Sequence, residues 1–157
     1  MNNITLKPID QNNFITCFNL ELGEGQDKFV SHPIRSLAQA YVYRDQCTPF
    51  GIYDGDTMVG YVMVIYDDDE CTYNIWHLMI DRRCQGRGYG RAATEQALAY
   101  IAEKPFGPSE TTLITCAPEN RVAYELYRRM GFAETGRGDE DEAAALEMEA
   151  VDLDGDE

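Results

Sequence analysis

The residues best suited to chemistry lie in Gln85-Gly86-Arg87-Gly88-Tyr89-Gly90. A β-rich run, Thr72 to Ile80, leads into this segment, and a helical pattern from Arg91 to Ala102 leads out of it. Glycines let a backbone approach a ligand closely and turn successive N–H groups into one concavity. The helix that follows adds its unpaired N–H groups and the positive end of its dipole. Such an assembly can cradle a pyrophosphate. Arg82, Arg83, Arg87 and Arg91 add cations in a chain with only 13 Lys and Arg in total. The loop lacks the Gly-Lys-Ser/Thr of nucleotide triphosphatases. Its glycine spacing, and the two helices and hairpin expected before it, also exclude the dinucleotide fingerprint of a first βαβ unit. Taken alone, the loop leaves open a tight strand-to-helix turn with no ligand.

Two further side chains could move protons. Tyr127 lies on a helical stretch, Asn120 to Met130, where Ala123, Leu126 and Met130 share its apolar side, so position alone equally fits a core aromatic. His77 lies in the strand-like run Tyr73-Asn-Ile-Trp-His-Leu78, which carries no carboxylate. An imidazole near neutrality suits a general base, although a single histidine on a strand is more often structural. Asp67-Asp-Asp-Glu70 lacks the glycine and glutamate of a calcium loop and reads as a solvated turn. With only His32 and His77, and five cysteines without C-x-x-C spacing, no zinc set is expected. Cys84 and Cys116 have no neighbouring histidine and are expected to be incidental thiols rather than nucleophiles.

The elements that must position these groups follow from periodicity. Ile4–Pro8 alternates as a strand, and Asn12–Leu22 and Ser36–Tyr43 read as helices, the second capped by Ser36. Phe50–Tyr53 and Met58–Tyr66 flank Asp54-Gly55-Asp56 as a hairpin. Thr72–Ile80, the glycine loop, Arg91–Ala102, Thr111–Ala117 and Asn120–Met130 then alternate strand and helix. Phe132–Thr135 and Ala143–Val151 close the chain as a last strand pair. The order predicts an α+β fold, a mixed sheet with helices on both sides. At 157 residues, one domain is expected over 1–151, with an acidic tail at 152–157.

The chain has 28 Asp and Glu and a formal net charge of −15. From Glu134 to Glu157 there are eleven acids and one base, Arg137. Such a field repels phosphodiester backbones, so nucleic acid is not an expected partner. It would instead draw polycations. Without an apolar leader, an 18-residue apolar run or a paired-cysteine pattern, the chain is expected to be cytoplasmic, off the membrane and free of disulfides.

Leu78-Met-Ile-Asp81, the loop residues Gln85, Gly88 and Gly90, and the later set Asn120, Ala123, Tyr127, Gly131 and Phe132 occur in the order and spacing of a known family. Over Phe50 to Phe132 the chain resembles the GCN5-related N-acetyltransferase superfamily. The resemblance implies a bent, mostly antiparallel mixed sheet, splayed between its fourth and fifth strands, with acetyl-CoA in the gap. It implies that the backbone of Leu78, Met79 and Ile80 pairs with the pantetheine arm, as an added strand would. Gln85, Gly86, Arg87, Gly88, Tyr89 and Gly90 would hold the pyrophosphate, with Arg91 at its edge. Asn120 would contact the cofactor near the thioester, and Tyr127 would protonate the departing thiolate. The glutamate that many relatives carry on the fourth strand is absent, leaving His77, ordered water, Glu70 or Asp81 as candidate bases. No metal and no covalent intermediate are implied.

Gln26-x-x-Phe29-Val30, Ser36–Tyr41, Pro49–Tyr53 and Ile75-Trp76-x-x-Met79-Ile80-Asp81 extend the resemblance to the bacillary diamine/spermidine/spermine acetyltransferases. A polyamine acceptor would need carboxylates and aromatic faces for its ammonium groups. Glu21, Glu24 and Asp27 are the candidate carboxylates, and Tyr41, Tyr53 and Trp76 the candidate faces. Another amine, such as an aminoglycoside or a protein N-terminus, and a non-catalytic acyl-CoA-binding module remain alternatives. Homodimerisation is left open.

Overall fold

The computed structural model describes residues 3–23, 32–116, 120–139 and 142–151, with the backbone alone for 116, 135–139 and 142–151. Glu24, Asp27 and the tail at 152–157 lie outside the described residues. The strands are β1 (Ile4–Pro8), β2 (Cys47–Asp54), β3 (Thr57–Asp67), β4 (Thr72–Ile80), β5 (Thr111–Cys116), β6 (Ala133–Asp139) and β7 (Glu142–Val151). The α-helices are α1 (Phe14–Phe18), α2 (Pro33–Val42), α3 (Tyr89–Ala102) and α4 (Arg121–Arg129). The strands form one seven-stranded sheet in the order β1-β2-β3-β4-β5-β7-β6. Every neighbouring pair is antiparallel except β4 and β5, which run parallel.

The strand period of two sends alternate side chains to opposite faces. Ile52, Val62, Val64, Tyr73 and Ile75 pack with Ala93, Ala97 and Ile101 of α3 and with Tyr124 and Tyr127 of α4. Tyr61, Met63, Trp76 and Met79 pack on the other face with Cys17 of α1, Leu20 and Ala40 of α2. Each face is thus covered by its own helix pair, as the α+β reading requires.

Two helix boundaries depart from the periodicity. The first helix stops at Phe18 instead of Leu22. Tertiary bonds take the chain over: Leu20 turns into the core, Glu21 N–H donates to Asp81 Oδ2 at 3.0 Å, and Glu21 C=O accepts from Arg82 N–H at 2.8 Å. The second helix begins one turn early. Pro33 opens it, and His32 caps it, its Nδ1 accepting from Ile34 N–H at 3.1 Å. A proline fits there because the first helical N–H has no partner to lose. Ser36 is therefore not the cap. It lies inside the helix and is fully buried.

The β2–β3 hairpin turns through Gly55, whose φ of +62° is unfavourable for any side chain. A bulge at Val59–Gly60 re-phases β3 against β2. Gly60 then passes directly under β4. A Cβ on Gly60 would be driven into the carbonyl oxygen of Met79 and would lie 3.2 Å from Ile80 Cα. These are backbone atoms and cannot rotate away. Gly60→Ala should therefore destabilise the fold by about 1–3 kcal/mol, as overpacking does. A thermal melt should show a loss of at least about 2 °C; an unchanged Tm would mean that β4 is free to shift.

Candidate active site

The β4–β5 ladder is short. It runs over Tyr73–Thr112, Asn74–Leu113 and Ile75–Ile114, while β4 continues to Ile80 on its β3 side. Beyond Ile75 the two strands diverge, and this is the splay expected between strands four and five. The divergence coincides with a bulge. Met63 faces Trp76 and Tyr61 faces Met79, so His77 and Leu78 both lie opposite Val62. His77 absorbs the extra residue with a φ of +59°, a left-handed conformation that costs a branched or ring-bearing residue about 1–2 kcal/mol. Strain of this kind persists only where surrounding structure holds it.

What holds His77 is visible. Its ring stacks on Trp76 at 4.7 Å with an interplanar angle of 8°. Its Nδ1 lies 2.7 Å from Ser36 Oγ of α2. Ser36 in turn donates to Tyr61 OH of β3 at 2.8 Å. Ser36 and Tyr61 are fully buried and His77 nearly so. Burial pushes the Tyr61 phenol well above its ordinary pKa, so it stays protonated.

The strand leads straight into the glycine loop. Asp81, almost wholly buried, accepts from Arg83 Nε and Nη2, each at 2.7 Å, and from Arg83 N–H at 2.9 Å. These bonds hold its carboxyl down at about 2. Arg82 forms an ion pair with Glu21. Two of the four loop cations are therefore engaged by acids of the chain itself, and both pairs fasten the α1–α2 connection to the end of β4. Arg91 pairs along α3 with Glu95 at 3.3 Å. Gln85 Nε2 donates to Ile80 C=O at 3.0 Å, folding the loop back on its strand.

Gly86 and Gly88 have φ of +81° and +79°, and Gly88 is the N-cap of α3. No side chain caps this 14-residue helix and no acid sits in its first turn. Its first N–H groups and its dipole are thus presented to the loop's concavity, which fits an anion. Gly90 is different. It is helical, and a Cβ there would meet Leu126 Cδ2 at an ordinary 3.8 Å. Tyr89 is buried beneath the loop and donates its hydroxyl to Asp54 of the β2–β3 hairpin. That bond and burial raise its phenol above the ordinary pKa.

On α4, the Asn120 side chain caps the helix through Ala123 N–H at 3.5 Å. Tyr127 is buried on the α3–α4 face, edge-on to Phe132 at 6.1 Å. Tyr124 donates to Glu134 of β6 and carries the Arg121 guanidinium 4.3 Å above its ring. Tyr127 and His77 therefore approach from opposite faces of the sheet, and the splay joins those faces.

The aromatic faces named from sequence have separate environments. Trp76 is buried, with one face against His77. Tyr53 is buried, with Lys7 Nζ 4.5 Å over its ring. Tyr41 is 69 % exposed on α2 and carries Arg44 at 4.8 Å. Glu21 lies beside the β4 end through Arg82. Asp67, Asp68 and Asp69 form an exposed turn in which Asp67 Oδ1 accepts from the N–H groups of Asp69 and Glu70. Cys17 and Cys47 are buried, their thiols raised to about 12 and about 11.

Sequence reasoning passed over Ser36 as a cap and over Asp81 as a structural anchor. An acid directly before Arg-Arg was the available signal for Asp81. Its linkage has a definite sign. The folded pKa lies below the ordinary 3.8, so the stabilisation is complete above that value and disappears as pH falls toward about 2. Asp81→Asn should lower Tm by several degrees at pH 6, and the gap to the parent should close between pH 4 and pH 2. A gap independent of pH would remove the ionised carboxylate from the account.

The geometry can now be compared with known proteins. The model of the acetyltransferase (GNAT) family matches residues 15–132. Spermine/spermidine N(1)-acetyltransferase of Bacillus subtilis (strain 168) is 23 % identical over 145 residues, covering 87 % of this chain and 91 % of that protein. Mycothiol acetyltransferase of Mycolicibacterium smegmatis is 40 % identical over 53 residues, 34 % of this chain and 18 % of that protein. Among solved structures, spermidine N-acetyltransferase from Vibrio cholerae, in complex with CoA and spermine, superposes with a TM-score of 0.73 at 19 % identity, over 95 % of both chains. The ribosomal-protein-S18-alanine N-acetyltransferase of Escherichia coli gives 0.69 at 16 % identity, over 95 % of this chain and 94 % of that one. With a family match spanning the splayed strand, the glycine loop and α4, the chain belongs to the acetyltransferase (GNAT) family.

Proposed function

We propose that this protein transfers the acetyl group of acetyl-CoA to a primary amine of a polyamine, by direct attack in a ternary complex. The observation that carries the reading is the splay of β4 from β5 beside an uncapped, glycine-led helix N-terminus. An opening of this form suits an extended arm ending in a pyrophosphate. Leu78, Met79 and Ile80 would pair with the pantetheine amides along the strand edge. Gln85 to Gly90 and Arg91 would receive the pyrophosphate, and Asn120 would lie near the thioester.

Chemistry then needs a base on one face and an acid on the other. In this reading His77 takes the proton of the attacking ammonium, and the neutral amine adds to the thioester carbonyl. As the tetrahedral intermediate collapses, the C–S bond breaks and Tyr127 donates its proton to the leaving thiolate. A phenol of pKa near 10 is a competent acid for a thiolate of pKa about 8.5, by the cysteine reference. Glu21, with Glu24 and Asp27, would hold the polyamine's remaining ammonium groups, and Trp76, Tyr41 and Tyr53 would border them. Support for this acceptor comes from the relative acting on spermine and spermidine and from the charge of −15. The likeness to an enzyme acting on a ribosomal-protein alanine makes a peptide N-terminus the rival acceptor.

A panel of spermidine, spermine, diamines, aminoglycosides and alanine-ended peptides, read by CoA release, tests the acceptor. Polyamines should give the highest kcat/KM, falling as salt screens the exposed charges; a peptide or aminoglycoside that outruns spermidine would overturn the polyamine assignment. Gly88→Glu should weaken CoA at least tenfold by calorimetry, about 1.4 kcal/mol, by placing a side chain and a negative charge at the cradle. Unchanged affinity in the folded variant would sink the cradle. Tyr127→Phe should lower kcat by about 10²–10⁴-fold with KM little altered. Retained turnover, measured where chemistry limits the rate, would reduce Tyr127 to packing.

A further inference from the structure

The bulge residue His77 is not held by its strand alone. One side chain of another element reaches its ring: Ser36 Oγ, fully buried on α2, lies 2.7 Å from Nδ1. A hydroxyl has one proton. Ser36 gives it to Tyr61 OH at 2.8 Å, so its remaining contact with His77 must be as acceptor. The ring nitrogen facing Ser36 is therefore Nδ1–H, and the lone pair sits on Nε2. From this we infer that Ser36 is a positioning residue of the acetyl transfer, fixing His77 as the Nδ1–H tautomer so that Nε2 is the nitrogen that accepts the substrate's proton.

The inference rests on the acetyltransferase reading with His77 as base, and it adds the hydrogen-bond order behind that base. Three restraints converge on one ring: the left-handed backbone at His77, the stack on Trp76, and the Ser36 bond. The first two set the ring plane but are indifferent to a flip of the ring about its bond. Only the Ser36–Tyr61 order distinguishes one nitrogen from the other. When Nε2 takes a proton, the imidazolium keeps Nδ1–H on Ser36, so no hydroxyl has to reorient during the step. The stacked indole face also favours the cationic ring. The titratable groups packed around this row are Tyr61 of β3, Cys17 of α1 and Cys47 of β2. Burial raises all three, so none brings a competing charge. Asp81 lies beyond the strand end and is occupied by Arg83.

The test uses the chain's two histidines. His32→Asn keeps a capping side chain on α2 and leaves His77 as the single imidazole in a ¹⁵N spectrum. Above the titration of the ring, that protein should show Nδ1 protonated and Nε2 bare. Adding Ser36→Ala should shift the ring toward Nε2–H, and kcat should fall roughly 10–100-fold, the usual effect of losing the partner that orients a functional imidazole. KM for acetyl-CoA should stay within about twofold, and Ser36→Thr, which keeps the hydroxyl, should retain the parental tautomer. An Nε2–H ring in the Ser36-containing protein overturns the inference, whether or not the variants fold. So does a Ser36→Ala protein with parental tautomer and kcat. Full kcat in His77→Gln would instead remove His77 as the base, while the tautomer measurement would still report on the Ser36 order.

Discussion

One extra residue in β4 governs the site. Opposite Val62, the strand carries both His77 and Leu78, and the ladder to β5 has already ended at Ile75. A regular strand would send His77 to the α3–α4 face. The left-handed turn at His77 leaves Trp76 and His77 together on the α1–α2 face and returns Leu78 to the other. It also bends the strand away from β5, because a bulge adds twist and breaks pairing. The opening, the aim of the imidazole and the alternation of the pantetheine-side residues share this cause. Gly60 makes the bend compatible with β3, since no side chain fits beneath the Met79 carbonyl.

The cations around the glycine loop divide into two groups. Arg82 and Arg83 are bound to Glu21 and Asp81, so they act as fasteners between the α1–α2 connection and the strand end. The Arg83–Asp81 pair has one buried partner and backbone bonds to the same carboxylate, a setting in which removing one member is costly. Anion affinity at the loop is then left chiefly to backbone N–H groups, the α3 dipole and the more peripheral Arg87 and Arg91. This agrees with the glycine geometry: Gly86 and Gly88 need positive φ, while Gly90 has room for a methyl group.

Much of this was legible in the sequence where local and tertiary demands agree. The strand Thr72–Ile80 and the helix after Gly88 follow from β-branched residues, aromatics and glycine placement. The Asp54-Gly55-Asp56 hairpin was equally plain. Legibility failed where a distant partner decides. The Asn12–Leu22 pattern is helical in period, yet Asp81 and Arg82 draw Glu21 out of the helix after Phe18. Ser36 has the composition of a cap, but Pro33 and His32 start the helix earlier and bury it. The bulge had no signal of its own, because histidine gives no hint of a left-handed backbone. Tyr53 and Tyr41 were named for aromatic character alone, and each ring already carries a cation of the chain.

The two faces of the sheet assign different duties to the two proton-moving groups. Tyr127 is packed among α3, α4 and Phe132, on the same side as the glycine loop's helix. His77 faces α1 and α2, where Glu21 is fastened. A donor lying in the splay would meet its acid from the cofactor side, and an amine would reach its base from the acceptor side. Neither group has to cross the sheet, and each can be tuned by its own helix pair. Changes in α1 and α2 would then alter which amine is taken while leaving thiolate departure intact. Changes in α3 and α4 would do the reverse. The bulge couples the two, since the residue that opens the donor's gap is also the one whose ring meets the acceptor.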